Sequence, residues 1–266
     1  MPVEMNGFLA FAPDLAIDNG GMAPDAHHAL DQMQEHSFWF RSRNRLLKDM
    51  VRRYFLDTQS LLEIGCGTGY VLSALADALP RARVFGSEIY INGLTYAARR
   101  LKPDAVLFQM DALNIPFYAE FDLIAACDVL EHIEEDEEAL AAIHRALRPG
   151  GGLLLTVPQH PGLWSQSDDI ACHKRRYKIG ELSRKVRQAG FNILRDTSFV
   201  TLLLPALMLQ RLTSGQRNDY NAGAEFNMAG WLDRLLEIPM EVDRFAIKMG
   251  VSLPLGGSRL IVARRQ

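Results

Sequence analysis

The sequence predicts an α/β fold: a mostly parallel sheet with helices on both faces. Two observations carry this. From residue 60 to 157, short apolar runs alternate with segments of helical period, and glycine, proline or small polar residues mark the junctions. At the first junction, Leu61-Leu62-Glu63-Ile64-Gly65-Cys66-Gly67-Thr68-Gly69 reads as strand, glycine turn and helix start. Such a turn lets a ligand lie against bare backbone at a helix N-terminus.

Residues 1–24 carry Pro, Gly, Asn and Asp without a sustained period and read as a flexible arm. Asp25 is placed to cap a helix running to about 55, interrupted by Phe38-Trp39-Phe40, with a basic face of Arg41, Arg43, Arg45, Lys48, Arg52 and Arg53. Residues 25–56 are therefore an N-terminal helical cap. The core, 57–198, starts with a strand at 60–64 and a helix over 70–79 that stops at Pro80. A strand at 83–88 precedes a helix over 91–101, ended by Pro103. Strands follow at about 105–109 and at 121–126. A helix over 135–147 is stopped by Pro149-Gly150-Gly151-Gly152, and Leu153-Leu154-Leu155-Thr156-Val157 is the fifth strand. The rhythm then changes. A helix over 179–189 ends at Gly190, and Phe191 to Ser198 is the sixth strand. Residues 199–255 are mostly helical and read as an insertion of the kind that selects a substrate, a lid; 256–266 supply the last strand.

Composition bounds the function. The chain has 266 residues, 48% of them hydrophobic, enough for one large domain with an insertion. Its net charge of −3 comes from mixed acids and bases, with no basic block, so no nucleic-acid partner is expected. Three cysteines, Cys66, Cys127 and Cys172, are too scattered for a disulfide framework or a four-cysteine zinc site and fit a reducing, cytoplasmic compartment. No run of 18 apolar residues exists, so at most peripheral membrane contact is expected.

The glycine spacing decides the ligand class. The dinucleotide fingerprint is G-x-G-x-x-G, with pyrophosphate on the helix dipole. Here the pattern is G-x-G-x-G, and Glu63, two residues before Gly65, would repel pyrophosphate. A carboxylate there suits a cationic or hydrogen-donating ligand, which disfavours a dinucleotide oxidoreductase. The pattern E-x-G-x-G-x-G resembles the first motif of class I S-adenosylmethionine (SAM) methyltransferases, in their small-molecule (type 11/23-like) branch. The resemblance runs over roughly residues 35–198. It implies SAM as cofactor and a Rossmann-like sheet of seven strands, order 3-2-1-4-5-7-6, with the last strand antiparallel.

The resemblance also implies cofactor-binding residues. Glu63, Gly65, Cys66, Gly67 and Gly69 form the turn under the methionine part. Glu88, with Ile89 after it, ends the second strand, where a carboxylate accepts bonds from both ribose hydroxyls. Asp111 and Ala112 stand where the family binds adenine. Asp128 opens Asp128-Val129-Leu130-Glu131-His132-Ile133, at the carboxyl end of the fourth strand.

On the acceptor side, Pro158-Gln159-His160, Trp164, Asp168-Asp169 and His173-Lys174-Arg175-Arg176-Tyr177, a P-Q-H…W…D…H-x-R-R-Y pattern, resemble a bacterial methyltransferase subgroup often associated with cell-surface polysaccharides. So do His36 to Arg43 and the turn Leu253-Pro254-Leu255-Gly256-Gly257-Ser258. The expected substrate-binding residues are Trp39, Arg43, Trp164, Arg176 and Tyr177. Methyl transfer to a hydroxyl needs alignment and removal of a proton. Histidine titrates near neutral pH, and the candidate bases are His173, His160 and His132, in that order. Arg175 and Arg176 are candidates to hold a phosphate or carboxylate of the acceptor. Asp128-x-x-Glu131-His132 resembles the E-x-x-E-H metal site of some RNA 2′-O-methyltransferases and quinone-pathway O-methyltransferases, to which a later histidine would add a fourth ligand; carboxylates with imidazole suit Mg²⁺, Mn²⁺ or Zn²⁺. The shorter Asp in first place favours a metal-free reading. The apolar run Phe199 to Leu209 reads as a buried helix, with a greasy lid or a homodimer face as alternatives.

The expectation is thus a SAM-dependent methyltransferase acting on a small-molecule, sugar or lipid-linked acceptor, at oxygen. The rivals are carbon or nitrogen methylation of a quinone-like or amine acceptor, and a SAM-binding partner protein without catalysis.

Overall fold

The computed structural model describes residues 1–17, 26–213 and 229–266. The proposed cap Asp25, the end of the arm and residues 214–228 of the insertion lie outside them. The core strands are β3 (Ser60–Ile64), β4 (Arg83–Glu88), β5 (Val106–Gln109), β6 (Phe121–Cys127), β7 (Leu147–Pro158), β8 (Phe191–Phe199) and β9 (Ser258–Arg265). Two further strands, β1 (Val3–Met5) and β2 (Phe8–Ala10), precede them, and the nine form one sheet of order β1-β2-β5-β4-β3-β6-β7-β9-β8. Without the first two, the order by chain position is 3-2-1-4-5-7-6. β9 runs antiparallel to both β7 and β8, and the pairings from β5 to β7 are parallel. All five residues of β3 are buried, as expected of a central strand covered on both faces.

The hairpin corrects the expectation for residues 1–24. Their described part is not an arm without regular structure. Asn6 and Gly7 take positive φ of 51° and 82° and turn β1 back into β2, and Leu9 and Ala10 pair in parallel with Phe108 and Gln109. Asn-Gly is a favoured residue pair for such a turn. The buried Gln109 fixes the connection: its amide donates to the Ala12 carbonyl at 2.8 Å and accepts from the Ala12 N–H at 3.0 Å.

Helices cover both faces. On one, Leu46, Leu47 and Met50 of α2 (Phe38–Tyr54), Leu72 and Leu75 of α3 (Tyr70–Ala78), and Leu94 and Ala97 of α4 (Ile91–Arg100) pack on the sheet. On the other, Leu140 and Ile143 of α5 (Asp136–Ala146) and Leu182 and Val186 of α7 (Glu181–Gln188) do so. The expected cap helix is split into α1 (Ala26–Met33) and α2. The two short elements α6 (Gln166–Ile170) and α8 (Leu204–Thr213) lie between, and α9 (Gly230–Lys248) precedes the last strand.

Two arginines of the basic face of α2 are neutralised by α9. Arg41 reaches Asp233 at 2.5 Å and Glu237 at 2.8 Å, Arg45 pairs with Glu237 and Glu241, and Asp233 also accepts the Phe38 N–H at 2.6 Å. The opposite side of α9 carries exposed Trp231, Leu235, Ile238, Val242, Phe245 and Met249. In the apolar run before and within α8, Phe199 and Val200 are buried, but Leu202, Met208 and Leu209 are exposed, so it is not the fully buried helix expected. No helix among the described residues is long and apolar enough to cross a membrane.

Candidate functional site

The carboxyl ends of β3 to β7 meet at the turn between β3 and α3. Gly65, Gly67 and Gly69 have φ of 66°, 50° and 76°, the left-handed region open to residues without a Cβ. Their neighbours differ. A Cβ on Gly65 would lie 2.5 Å from a Val129 methyl, and one on Gly69 would lie 3.0 Å from the Ala97 Cα. A Cβ on Gly67 would have nothing within 4 Å. The outer glycines let the turn pack, and the middle one presents bare backbone to open space. Cys66 anchors the turn, its N–H donating to the Ser87 carbonyl at 2.9 Å, and burial pushes its thiol well up.

Four carboxylates ring this turn. Glu63 lies beneath it, 1% exposed, with one oxygen unpartnered. Burial raises its pKa to about 8, the Arg43 charge opposing and Glu88 adding to the rise. Glu88 accepts from the Gly67 N–H at 2.9 Å, and from Ile89 and Tyr90 N–H at 2.9 and 3.3 Å. Asp111 accepts from the Leu113 N–H and from the Asn114 amide, so here it shapes its own turn. Asp128, at φ 57°, pairs with Arg43 and accepts from the Thr156 hydroxyl at 3.0 Å. The Arg43 guanidinium stacks 4.5 Å from the Trp39 ring. Arg43 and Trp39 thus meet the acidic ring through Asp128. A ligand that is cationic and rich in donors fits this surround, and a polyphosphate does not.

Beyond β6 lies a second cluster. Glu131 and His132 sit in a 3-10 turn over Leu130–His132, and the His132 and His173 rings meet edge to face with centroids 4.7 Å apart. Burial, helped by His173, pushes the His132 pKa down to about 4. The His173 Nδ1 is 2.8 Å from Asp168 Oδ1. Asp168 is fully buried and also takes Arg176 at 2.8 and 3.0 Å and the Ser165 N–H and hydroxyl. Its bonds to His173 and Arg176 outweigh burial and hold its carboxyl well below the usual range. Three non-glycine residues with positive φ border this region: Asp128 at 57°, His160 at 64° and Cys172 at 57°. Each costs about 1–3 kcal/mol, and such strain concentrates at functional sites.

The remaining expected acceptor residues fall elsewhere. Tyr177 is a core residue, 1% exposed, its hydroxyl donating to Asp136 at 2.6 Å, so it does not face an acceptor. Arg176 is committed to Asp168, and Arg175 donates to the Glu134 carbonyl and lies 3.4 Å from Asp136. Trp164 stands at the rim, 38% exposed, its ring N–H on Asp169. His160 donates its backbone N–H to the Tyr177 carbonyl, and burial, then Arg176, lower its pKa. Sequence reasoning gave no role to Asp168, although it stands in the W…D…H-x-R-R-Y pattern; its distance from His173 along the chain, five residues, was the available signal.

Residues 62–155 match the family model described as a methyltransferase domain. The chain is 26% identical over 186 residues to a protein of Mycolicibacterium smegmatis designated probable S-adenosylmethionine-dependent methyltransferase, covering 68% of this chain and 69% of that one. It is 30% identical over 180 residues to an O-methyltransferase of Penicillium expansum, covering 62% and 64%. Among solved structures it resembles phosphoethanolamine N-methyltransferase 2 of Haemonchus contortus in complex with SAM, at a TM-score of 0.60 and 18% identity, over 91% of this chain and 57% of that one. The chain thus spans between 57% and 69% of the length of these proteins.

Proposed function

We propose that the chain is a class I SAM-dependent methyltransferase and that it methylates a hydroxyl oxygen of a small-molecule, sugar or lipid-linked acceptor in the cytoplasm. The observation that carries this reading is the Asp168–His173 pair: a buried carboxylate holds one imidazole nitrogen and leaves the other for a proton. A hydroxyl needs such an acceptor; an amine, already a nucleophile when neutral, needs it less.

SAM would lie over the glycine turn. Gly67 would let it approach the backbone, the Asp128 side would favour its cationic amino group, Glu88 would accept from the ribose hydroxyls, and Asp111 with Ala112 would border the adenine. When bound, it supplies an electrophilic methyl on a cationic sulfur, lost from sulfur as the bond to the acceptor forms. The chain's own part is to bind, orient and take a proton. Arg43 fixes Asp128, and Asp128 closes the end of β6 between the turn and the second cluster. Asp168 keeps the His173 ring in one tautomer. His132, held neutral by burial, does not compete for the proton near pH 7. The exposed Leu202, Met208 and Leu209 near the loop after β7 would cover the apolar part of a lipid-linked acceptor, with 199–255 as the lid.

The test is His173→Ala. Its kcat should fall about 10²–10⁴-fold, while calorimetric affinity for SAM stays within twofold. Retained activity would sink the hydroxyl reading and favour nitrogen or carbon as the acceptor atom. Loss of SAM binding would remove His173 from the acceptor side altogether.

A further inference from the structure

The second cluster holds more than a base. Glu131, His132 and His173 each bring one ligand atom to within 4.8 Å of the others. Glu131 is fully buried, yet neither of its carboxyl oxygens has a hydrogen-bond partner among the described residues. Only its backbone is engaged, the carbonyl accepting from the Lys174 N–H at 2.7 Å. Buried carboxyl groups in native proteins are paired, hydrogen-bonded or ligating.

One imidazole is held from behind. The His173 Nδ1 lies 2.8 Å from Asp168 Oδ1, which leaves Nε2 for the cluster, and the His132 ring meets the His173 ring edge to face with centroids 4.7 Å apart. A carboxylate behind a histidine is the outer-shell arrangement that orients a metal-ligating imidazole. Asp128 is not a member of the donor set, because its two oxygens are taken by Arg43 and Thr156. The set is therefore one carboxylate and two imidazoles, not the two carboxylates and a histidine that the sequence pattern suggests.

We propose that Glu131, His132 and His173 form a binding site for a divalent first-row transition cation of the zinc and manganese class. Two imidazoles with one carboxylate suit Zn²⁺, Mn²⁺ or Fe²⁺, whereas Ca²⁺ and Mg²⁺ take oxygen ligands. Three protein ligands leave coordination positions open, as catalytic sites do. The site directly follows β6, next to Asp128. A cation held by Glu131, His132 and His173 would lower the pKa of an acceptor hydroxyl bound to it, and the proton would pass to solvent. His173 would then serve as a ligand, and its role as base belongs to the cluster without metal. Only this functional consequence rests on the oxygen-acceptor reading; the binding site does not.

The experiment is calorimetry on the chelator-stripped full chain with Zn²⁺ and Mn²⁺, with Mg²⁺ for comparison and SAM affinity measured in parallel. One equivalent of Zn²⁺ should bind with a Kd on the order of micromolar or tighter, and Mg²⁺ far more weakly. Glu131→Gln and His173→Ala should weaken binding at least about 100-fold and Asp168→Asn about 10–100-fold, with SAM affinity unchanged. Binding that is substoichiometric, or indifferent to Glu131→Gln, overturns the site. Should E131Q not fold, the wild-type chain loaded with Co²⁺ decides: visible ligand-field absorption displaced by Zn²⁺ supports the site, and a featureless spectrum overturns it. No metal binding together with lost activity in His173→Ala sinks the cation and leaves the base; metal binding with no transfer to a hydroxyl sinks the oxygen reading and leaves the cation.

Discussion

Gly67 and Glu63 sit four residues apart and answer different questions. Gly67 has φ 50° and no atom near where a Cβ would project. Gly67→Ala should therefore cost about 1 kcal/mol of stability from the left-handed backbone and weaken SAM binding at least tenfold, because the new methyl enters the space beside the turn. Calorimetry and urea midpoints separate the two effects. Glu63 speaks to pH. Its folded pKa is raised from 4.5 to about 8, so between those values the folded chain keeps a proton that the unfolded chain has lost. Raising the pH through that window lowers stability, by up to about 1.4 kcal/mol per unit, and above about 8 the loss is complete. Glu63→Gln should flatten this slope, measured as urea unfolding from pH 5 to 8. At this scale the glycine turn was readable, because its glycines, Glu63 and the adjoining helix are contiguous. The Arg43–Asp128 pair spans 85 residues, and no local pattern announces it. Tyr177 was misplaced because a Tyr in a motif looks the same whether it faces a ligand or, as here, Asp136 in the core.

At the scale of elements, α9 decides how the α2 cap is held. Asp233 accepts both the Phe38 N–H, at the first turn of α2, and the Arg41 guanidinium. It thus caps one helix from another. Asp233→Ala should cost about 1–3 kcal/mol, the range for a lost cap plus a charged hydrogen bond. It should also weaken SAM binding, since Arg43 rides on the same helix and holds Asp128. Urea unfolding and SAM calorimetry check both; intact stability would mean that the α2–α9 contact rests on packing alone. The alternation of core strands and helices was legible because central parallel strands read as apolar runs. The opening hairpin was not, because its strands have three residues each. Asn6-Gly7 was its one strong local sign.

At the scale of the molecule, the sheet gains an edge from that hairpin. β2 covers β5, and Phe11 packs edge to face on Phe108 and Phe117 with centroids 5.7 Å from each. Removing residues 1–12 would bare the β5 edge and the Gln109 amide. The truncated chain should melt lower and scatter light at concentrations where the full chain does not, because an unpaired strand edge templates association. Equal melting and scattering would show that the hairpin is dispensable.

The other side of the sheet has a consequence for biosynthesis. β9 lies between β7 and β8, so β8 has no neighbour in the sheet until residues 258–265 exist. A ribosome releases this chain in order, and β8 leaves the exit tunnel some sixty residues before the strand that will flank it. During that interval the nascent chain must carry a strand with nothing to pair with, and a stop or frameshift after β8 would leave a protein with its glycine turn made and its sheet unfinished.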